Sequence, residues 1–408
     1  MIGAVARELA RVAALVPEPF HVVFADGTRF ESRPGPPSFT LRFKTRRAQG
    51  RPALFGHVGL LDAYFDGALD IDGDYRALLR TGMSGRFGGR NRLVMLRNRW
   101  HEYRLGNGTR ASAKRNARFH YGLPIEFYRL WLDDPYMMYT CAYWREGTRT
   151  LEEAQANKID HVCRKLCIGA GDRVVDIGCG FGGFMLRASE RLGVDVTGVN
   201  NTDEQVEELA EMIRARGLGE RLRVVNGDFR DAFDTFDKVV SIGVLEHAGR
   251  DHLHEVVGAH ARFLKPGGLG MLHFIGHVGR RDTEFFIRHH VFPGGWIPSL
   301  ADVIVAMEDH GLEVVDVENL RRHYALTLDE WTSRFDASWD AIRALDPARF
   351  DERFRRFWRT FLIGCAEMFR STGERTHLFQ IVFSRPNLAS PGYPMSRAFL
   401  YDDVRTAG

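Results

Sequence analysis

From about residue 150 onward, helical and strand-like patterns of apolar residues alternate along the chain. The stretch LEEAQANKIDHVCRKL has apolar residues at the spacing of one helical face, at Ile159, Val162, Cys163 and Leu166. The short apolar run RVVDIG follows, and similar runs occur at VDVTGV, LRVVNGD, FDKVVSIG and LGMLHFIG. An aromatic-rich helical stretch at 351–368 and the run LFQIVFS close the series. This alternation predicts an α/β domain with a doubly wound, mostly parallel, Rossmann-like sheet.

The N-terminal part of the chain has a different pattern. The runs HVVF, TRFES and FTLRF lie between Phe20 and Phe43, and Asp26-Gly27 is a turn signal between the first two. Helical patterns resume near Val58, whereas glycine and arginine dominate residues 82–117, which show no clear period and predict a linker. We therefore predict a smaller N-terminal α+β domain (1–105), a linker and active-site lid segment (106–149), the sheet domain (150–390) and a C-terminal tail (391–408).

Targeting signals and cysteine usage indicate the compartment. Residues 1–17 mix charged side chains into short apolar runs, which predicts an amphipathic helix instead of a signal peptide. No segment approaches the roughly 18 to 20 continuous apolar residues of a membrane-spanning helix. The five cysteines are odd in number and form no zinc-like pair of C-x-x-C units. We therefore predict a reduced, cytoplasmic protein without a metal site, whose contact with any membrane is peripheral.

Positive charge is concentrated in one part of the chain, although the net charge is only +3. Between Arg86 and Arg118 arginines are frequent, and Glu102 is the single acid. Such a stretch suits an anionic surface, and lipid phosphates or nucleic-acid phosphates would both satisfy it. A solvated basic linker is the alternative interpretation.

The most informative motif is the apolar strand that contains Asp176 and the glycine-rich turn that follows it. Gly178 and Gly180 let a ligand approach the backbone closely, at the start of a helix with free N–H groups. A dinucleotide site would need a similar turn. Asp176 separates the two cases, because a carboxylate at this point can receive the cationic amino-acid part of S-adenosylmethionine and would repel a pyrophosphate. The motif therefore predicts an S-adenosylmethionine site.

Two further strand ends carry groups suited to a nucleoside. After VDVTGV, hydrogen bonds to a ribose can come from Asn200, Thr202 and Gln205. The next strand ends near Asp228 and Phe229, which offer a carboxylate for the adenine amino group and an aromatic neighbour. Three successive strand ends thus carry compatible chemistry. The alternative is an ordinary α/β domain with turn glycines and surface polar residues.

Candidate catalytic groups lie near the same edge of the predicted sheet. Glu246 follows the strand VVSIG, His273 and Ile275 end the strand GMLHFIG, and Cys141 lies just before the domain. In open parallel sheets, ligands collect at the carboxyl ends of the strands. Each residue alone is more often structural, so the interpretation depends on their convergence.

Short motifs spread over nearly the whole chain resemble the cyclopropane fatty-acid synthase family. The matching segments are His120-Tyr121, Phe127-Tyr128, residues 139–143, 151–155, 176–183, 227–231, 241–243, Glu246-His247, 264–268, 273–276, 292–295, 298–300, Tyr324, Thr327-Leu328, Trp331 and 379–385. Their order and spacing make chance agreement implausible.

The resemblance implies a reaction and a set of residues for it. An enzyme of this family transfers a one-carbon unit from S-adenosylmethionine to the double bond of an unsaturated phospholipid acyl chain, giving a cyclopropane ring. A bicarbonate ion serves as the base, held by residues that match Cys141, Glu246, His273, Ile275 and Tyr324. Tyr121 and Tyr139 join the cofactor-binding residues. The resemblance also implies that the N-terminal domain holds the lipid, that the protein binds the inner face of the membrane, and that it forms a homodimer.

Three departures from the family pattern leave alternatives open. Gly122 stands where the family has Asp, Phe181 where it has Trp, and Asn200-Asn201-Thr202 resembles the sterol methyltransferases. A methylene- or methyl-branched chain would need the same first step as the ring. A sterol-like acceptor and a non-catalytic lipid-binding protein are further alternatives. A nucleic-acid methyltransferase is supported only by the basic linker, which no base-reading module accompanies.

Overall fold

The computed structural model describes residues 2–87, 92–106, 109, 112, 115–116, 122–231, 234–389 and 392–401. The chain divides into two units. The first comprises Met1–Leu105, Glu284–Val291 and Leu328–Arg375, and the second comprises Gly106–Thr283, Phe292–Thr327 and Thr376–Gly408. Two segments from the range predicted for the sheet domain therefore pack with the N-terminal residues. The functional boundaries at residues 105, 149 and 390 stay a prediction.

Four short strands form the sheet of the first unit: β1 (Phe20–Val23), β2 (Arg29–Glu31), β3 (Phe39–Phe43) and β4 (Leu69–Gly73). Their order is β2-β1-β3-β4, with β1 and β3 parallel and the other neighbours antiparallel. Gly27, with φ at +85°, lies in the predicted turn between β1 and β2. The buried rings of Phe20 and Phe39 stack at 5.3 Å between centroids, so the inner face of this sheet forms a hydrophobic core.

The described α-helices are α1 (Ile2–Leu15), α2 (Arg46–Phe65), α3 (Tyr75–Ser84), α4 (Arg92–Leu105), α5 (Ile125–Arg129), α6 (Leu151–Lys165), α7 (Gly183–Leu192), α8 (Asp203–Ala215), α9 (Leu253–Phe263), α10 (Leu300–Asp309), α11 (Arg321–Ala337), α12 (Trp339–Leu345) and α13 (Glu352–Arg370). The prediction of a linker without regular structure is wrong for residues 92–105, which form α4. Helix α2 begins at Arg46, whereas the sequence predicts a helical pattern from near Val58. Gly56 has non-helical angles and interrupts the helix just before that point. None of the helices in the described part of the chain is long and apolar enough to span a membrane.

Helix α13 completes the core of the first unit. Its N-terminus is capped by Asp351, whose side chain accepts a hydrogen bond from the N–H of Phe354 at 2.8 Å. The aromatic-rich helix predicted for 351–368 is thereby confirmed. The Tyr75 hydroxyl meets Thr360 Oγ1 at 2.5 Å. Glu367, with a side chain that is 1% exposed, pairs with Arg76 at 2.9 Å. Helix α13 is therefore joined to α3 by one buried hydrogen bond and one partly buried ion pair.

Seven strands form the sheet of the second unit: β5 (Arg173–Ile177), β6 (Asp195–Asn200), β7 (Leu222–Asn226), β8 (Phe236–Ile242), β9 (Leu264–Gly276), β10 (Glu313–Asn319) and β11 (His377–Arg385). Their order is β10-β11-β9-β8-β5-β6-β7. The five neighbouring strands β9, β8, β5, β6 and β7 run parallel to one another. Strand β11 is antiparallel to both of its neighbours, β10 and β9. The predicted doubly wound, mostly parallel sheet is confirmed.

Both faces of this sheet are covered by helices. Val174 packs into a core with residues of α6, α7 and α8. The next residue, Val175, packs into a second core with residues of α9 and α10. Because successive side chains of a strand point to opposite faces, β5 is apolar on both sides. The polar side chains of these strands that could meet a ligand, such as Asp176 and Asn200, lie near the carboxyl ends of β5 and β6.

Candidate active site

A cleft of about 170 Å³ opens at the carboxyl ends of β5, β6 and β8. The strand order reverses between β5 and β8, and ligands of parallel sheets bind at such switch points. All described residues that were predicted to bind the cofactor line this cleft, namely Tyr139, Asp176, Gly178, Gly180, Asn200, Thr202, Gln205, Asp228 and Phe229. Tyr121 lies outside the described residues.

The glycine-rich turn between β5 and α7 requires glycine at Gly178. The φ angle of Gly178 is +72°, in the left-handed region that β-branched residues avoid. A Cβ atom at this position would approach Cγ2 of Val244 to 2.3 Å. The N–H of Gly178 donates to the Val199 carbonyl of β6 at 2.8 Å. The sequence therefore specifies a turn whose glycines line one side of the cleft with backbone atoms.

Asp176 lies at the end of β5 next to a buried lysine. Burial raises the pKa of Asp176 to about 7, and the charge of Lys158 opposes this rise. Lys158, in α6, is 0% exposed and donates from Nζ to Oγ1 of Thr140 at 2.9 Å. Burial lowers the pKa of the lysine, and the acidic groups of Asp133, Cys141 and Asp176 oppose that change. The ionisation of the Asp176 carboxylate thus depends on the positive charge of Lys158.

One face of α6 holds the segment that carries Tyr139 and Cys141. Gln155 Nε2 donates to the carbonyl groups of Met138 at 3.0 Å and of Thr140 at 2.9 Å. Lys158, one turn further along α6, holds the Thr140 hydroxyl. These bonds fix the backbone on both sides of Tyr139, whose ring meets that of Trp131 edge-on at 5.2 Å. The position of this segment is therefore set by buried polar groups.

The side chain of Asn200 is engaged within the protein. Its Nδ2 donates to the carbonyl group of Gly180 at 3.2 Å and to Oε1 of Gln205 at 2.9 Å. Its Oδ1 accepts from the N–H of Thr202 at 3.1 Å. Both amide donors are therefore used, and Asn200 joins the glycine turn to the start of α8. Asn201, which was not among the predicted site residues, also lines the cleft.

Asp228 is paired with a neighbouring arginine. Arg230 donates from Nε to Oδ1 at 2.7 Å and from Nη2 to Oδ2 at 2.5 Å, and its N–H also donates to Oδ1 at 3.0 Å. The predicted contact of Asp228 with an adenine amino group stays a prediction.

Glu246 is the strongest catalytic candidate in the described part of the chain. Its Oε1 accepts from the N–H of Ile275 at 2.6 Å, whereas Oε2 is buried and has no hydrogen-bond partner among the described residues. Burial raises the pKa of Glu246 to about 7, although the bond from Ile275 lowers it. The backbone carbonyl of Glu246 accepts from the N–H of Trp296 at 2.9 Å. A carboxylate in this state can accept a proton near neutral pH.

His273 lies on β9, two residues before Ile275. Gln380 Nε2 on β11 donates to Nδ1 of His273 at 3.1 Å, and Nε2 of His273 is buried without a partner among the described residues. Burial lowers the pKa of His273 well below its usual value. The imidazole is therefore neutral, and with Gln380 Nε2 as donor to Nδ1 its proton lies on Nε2, which can donate one hydrogen bond to a ligand.

Cys141 and Tyr324 belong to two segments that hydrogen bonds connect. The buried Cys141 thiol donates to the Ala142 carbonyl at 3.2 Å, and burial raises the pKa of this thiol well above its usual range. The N–H of Ala142 donates to Oγ1 of Thr327 on α11 at 3.1 Å. Tyr324, which is half-buried, lies one turn before Thr327. The predicted catalytic residues thus form two groups, Glu246-His273-Ile275 and Cys141-Tyr324.

Comparison with known proteins shows similarity to one protein family and to several named relatives. A family model described as "Mycolic acid cyclopropane synthetase" matches residues 109–381. "Probable fatty acid methyltransferase" from Pseudomonas putida is 35% identical over 382 residues, which cover 90% of this chain and 92% of that protein. "Cyclopropane-fatty-acyl-phospholipid synthase" from Escherichia coli (strain K12) is 32% identical over 338 residues, which cover 81% of this chain and 84% of that protein.

The solved structures include a mycolic acid cyclopropane synthase, CmaA1, in complex with SAH (S-adenosylhomocysteine) and CTAB. It is 31% identical to this chain, with a TM-score of 0.61, and the match covers 67% of this chain and 98% of that structure. The similarity therefore extends from the sequence to the three-dimensional structure over 67% of this chain.

Proposed function

Since this chain belongs to the cyclopropane fatty-acid synthase family of S-adenosylmethionine-dependent methyltransferases, we propose that it modifies the double bond of an unsaturated phospholipid acyl chain. A methylene unit would join both alkene carbons and give a cyclopropane ring. The observation that carries this proposal is the buried Oε2 of Glu246, which has no hydrogen-bond partner within the described ranges and belongs to the residue next to the cleft-lining His247.

The chemistry explains why an unpartnered carboxylate matters. S-adenosylmethionine would supply an electrophilic methyl group. An alkene is a weak nucleophile, so it has to be held in a productive orientation. The reaction places positive charge on the acyl chain and ends with loss of a proton. The site therefore needs negative charge near that carbon and a proton acceptor.

Glu246 has the properties that this reaction requires. Its pKa of about 7, raised by burial, makes the carboxylate a base of suitable strength near neutral pH. The N–H of Ile275 fixes one oxygen, so the other keeps a defined position. Because Oε2 is buried, its negative charge would act on a nearby cation with little screening by water.

The same residues fit a bicarbonate ion. Glu246 Oε2 accepts hydrogen bonds and His273 Nε2 donates one, and both atoms are buried without partners among the described residues. Bicarbonate carries an O–H group and acceptor oxygens, so it can satisfy both. We propose that Cys141 and Tyr324 complete this site, with Ile275 orienting Glu246. When bound, the ion would supply an additional proton acceptor.

The cofactor-binding roles follow the lining of the cleft. We propose that Asp176 pairs with the cationic amino group of S-adenosylmethionine, beside Tyr139 and the glycine turn. Thr202 and Gln205 would contact the ribose, with Asn200 holding the turn in place. Asp228 and Phe229 would contact the adenine. Tyr121 stays a prediction.

Replacing Lys158 by methionine should shift the binding of S-adenosylhomocysteine to higher pH. The folded-state pKa of Asp176 is already raised to about 7, and loss of the neighbouring charge raises it further. Since only the ionised carboxylate attracts the ligand's ammonium group, affinity at pH 7 should fall about tenfold and recover as pH rises, one pKa unit being worth a factor of ten. Calorimetric titration with S-adenosylhomocysteine between about pH 6 and pH 9 measures this dependence of affinity on pH.

Lys44→Met is a matched control, because Lys44 lies in the first unit and its side chain is 50% exposed. It should leave the profile unchanged. A loss of affinity that is equal at every pH would show that Lys158 acts only through packing, and an unchanged profile would contradict its electrostatic role.

The location and assembly of the protein are part of the same proposal. The resemblance and the name of the Escherichia coli relative support a phospholipid acceptor. We propose that the first unit contributes to holding this lipid. The protein would act as a homodimer at the cytoplasmic face of the membrane.

Mass spectrometry of fatty-acid methyl esters tests the reaction. A bacterium that lacks cyclopropane fatty acids would express this chain and receive methionine labelled in its methyl group. We expect a labelled gain of one methylene on monounsaturated chains, and none in cells that express Glu246→Gln. Absence of any labelled acyl chain would overturn the proposal and favour a sterol-like acceptor or a non-catalytic lipid-binding protein.

A methylene- or methyl-branched product is the second candidate. The relative from Pseudomonas putida is named for methyl transfer to a fatty acid without mention of a ring, and it matches 90% of this chain. Both products begin with the same carbon–carbon bond. Localisation of the added carbon and sensitivity of the product to hydrogenation would separate a ring, a branch and an exomethylene group.

A further inference from the structure

Helix α4 carries a strip of large apolar side chains that face solvent. Leu96 is 64% exposed, Trp100 61% and Tyr103 87%, and Leu93 is 49% exposed. At 3.6 residues per turn, positions 93, 96, 100 and 103 fall on one face of the helix. We refer to these four residues as the apolar strip. Exposed apolar residues in such a contiguous row mark a surface that meets a partner.

Arginines border the apolar strip on both sides. Helical geometry places Arg92 and Arg99 along one border and Arg104 along the other, and all three are exposed. The guanidinium group of Arg104 lies 5.2 Å from the centroid of the Trp100 ring. Within the sequence 92–105, Glu102 is the single acid. The surface is therefore apolar in its centre and positively charged at its edges.

Contacts within the first unit hold α4 with this face outward. Arg97 lies over the rings of Phe55 and Phe285, 4.9 Å and 5.1 Å from their centroids. Asn98 accepts from Arg288 of the short helix Ile287–Val291 at 2.9 Å. The helix is thus attached through residues that do not belong to the apolar strip. Its outward orientation follows from these contacts.

We propose that α4 is the surface through which the protein docks onto an anionic lipid bilayer. The apolar strip would enter the boundary between headgroups and acyl chains, with Arg92, Arg99 and Arg104 among the lipid phosphates. An apolar centre with basic borders and a tryptophan is the composition of helices that lie in this interface. A second copy of α4 fits less well, because an isologous contact would bring the arginines of both copies together. The choice of partner rests on the proposed function, whereas the docking surface itself does not.

Co-sedimentation with vesicles tests this proposal. The full chain should bind vesicles of phosphatidylglycerol and bind phosphatidylcholine vesicles much more weakly. Leu96→Ser/Trp100→Ser/Tyr103→Ser should lose at least about tenfold in affinity, because binding scales with the apolar area buried. In the triple variant Arg92→Gln/Arg99→Gln/Arg104→Gln, the affinity for phosphatidylglycerol vesicles should fall about 100-fold, at about fivefold for each charge removed. The salt dependence of vesicle binding should also largely disappear.

A control variant removes exposed apolar residues elsewhere. Val278→Ser/Val305→Ser/Met395→Ser changes side chains that are 59%, 53% and 92% exposed, and it should bind vesicles like the unchanged protein. Equal vesicle affinity of all variants, or no vesicle binding by the unchanged protein, would overturn the proposal. So would a loss of the dimer in the serine variant, measured by sedimentation, without a change in vesicle binding.

Turnover on unsaturated phospholipid dispersed in a nonionic detergent separates this proposal from the proposed function. Both α4 variants should keep normal turnover there, because the substrate no longer lies in a bilayer. If the unchanged protein binds vesicles through α4 but never turns over, the proposed function fails and the docking surface stands. If turnover is normal and vesicle binding does not depend on α4, the docking surface alone fails.

Discussion

Replacing Glu246 by glutamine should lower turnover about 1,000-fold, the range expected when a proton acceptor or charge-stabilising group is lost. Glutamine keeps the shape of the side chain and its bond from the N–H of Ile275, but it removes the negative charge. The affinity for S-adenosylhomocysteine should stay unchanged. The rate of label transfer from S-adenosylmethionine to lipid, with ligand binding measured by calorimetry, checks both expectations.

The pH dependence of the unchanged enzyme gives the same test a second measurement. The pKa of Glu246 is raised to about 7 by burial, so its ionised fraction, and with it the rate, should increase as pH rises through 7.

Glu308→Gln is a matched control for Glu246→Gln, because Glu308 is exposed on α10. Turnover of Glu246→Gln within about twofold of the unchanged enzyme would remove Glu246 from the mechanism.

Replacing Gly178 by valine should weaken S-adenosylhomocysteine binding about 100-fold or more. The φ angle of +72° costs a β-branched residue about 1–2 kcal/mol. In addition, the new Cβ would lie 2.3 Å from Cγ2 of Val244, so the turn has to move. Because the turn lines the cleft, its displacement should affect ligand binding directly. Calorimetry with S-adenosylhomocysteine measures the loss.

Two companion variants identify the cause of that loss. Gly169→Ala should bind normally, because a Cβ there meets no atom within 4 Å. Gly178→Val combined with Val244→Ala removes the contacting methyl groups and should recover part of the affinity. If Gly178→Val alone bound the ligand as tightly as the unchanged protein, the turn would not be part of the cofactor site.

The sheet of the second unit could be predicted because its strands are buried on both faces. Val174 and Val175 face two different cores, so β5 appears in the sequence as a continuous apolar run. The polar residues that interrupt such runs, including Asp176 and Glu246, then mark strand ends. These two sites were recognisable for that physical reason.

Lys158 could not be recognised in the same way, because a lysine within a helix is usually solvent-exposed. In the structure Gln155, Lys158 and Lys165 are each 0% exposed. Their spacing of three and seven residues places them on one face of α6, next to the apolar positions 159, 162 and 166. The sequence signal for these residues is a polar row beside an apolar row on the same helix.

Helix α4 was predicted as an irregular linker for a related reason. Sequence patterns predict a helix from an apolar face that packs on a core, whereas the apolar strip of α4 faces outward and has arginines on both sides. The packing of 284–291 and 328–375 with the N-terminal residues was also beyond sequence patterns. Periodicity identifies which face of an element is apolar, but it does not identify the partner of that face.

The composition of the first unit has a consequence for the synthesis of the protein. Ile363 of α13 belongs to the same buried core as Phe20 and Phe39, and Thr360 meets the buried Tyr75. A nascent chain emerges from the ribosome in sequence order, so the N-terminal strands are made long before the helix that completes their core. The second unit's central strands emerge in between. The N-terminal strands therefore reach their final packing only after the residues of α13 have been made, and until then their apolar surface is exposed to aggregation.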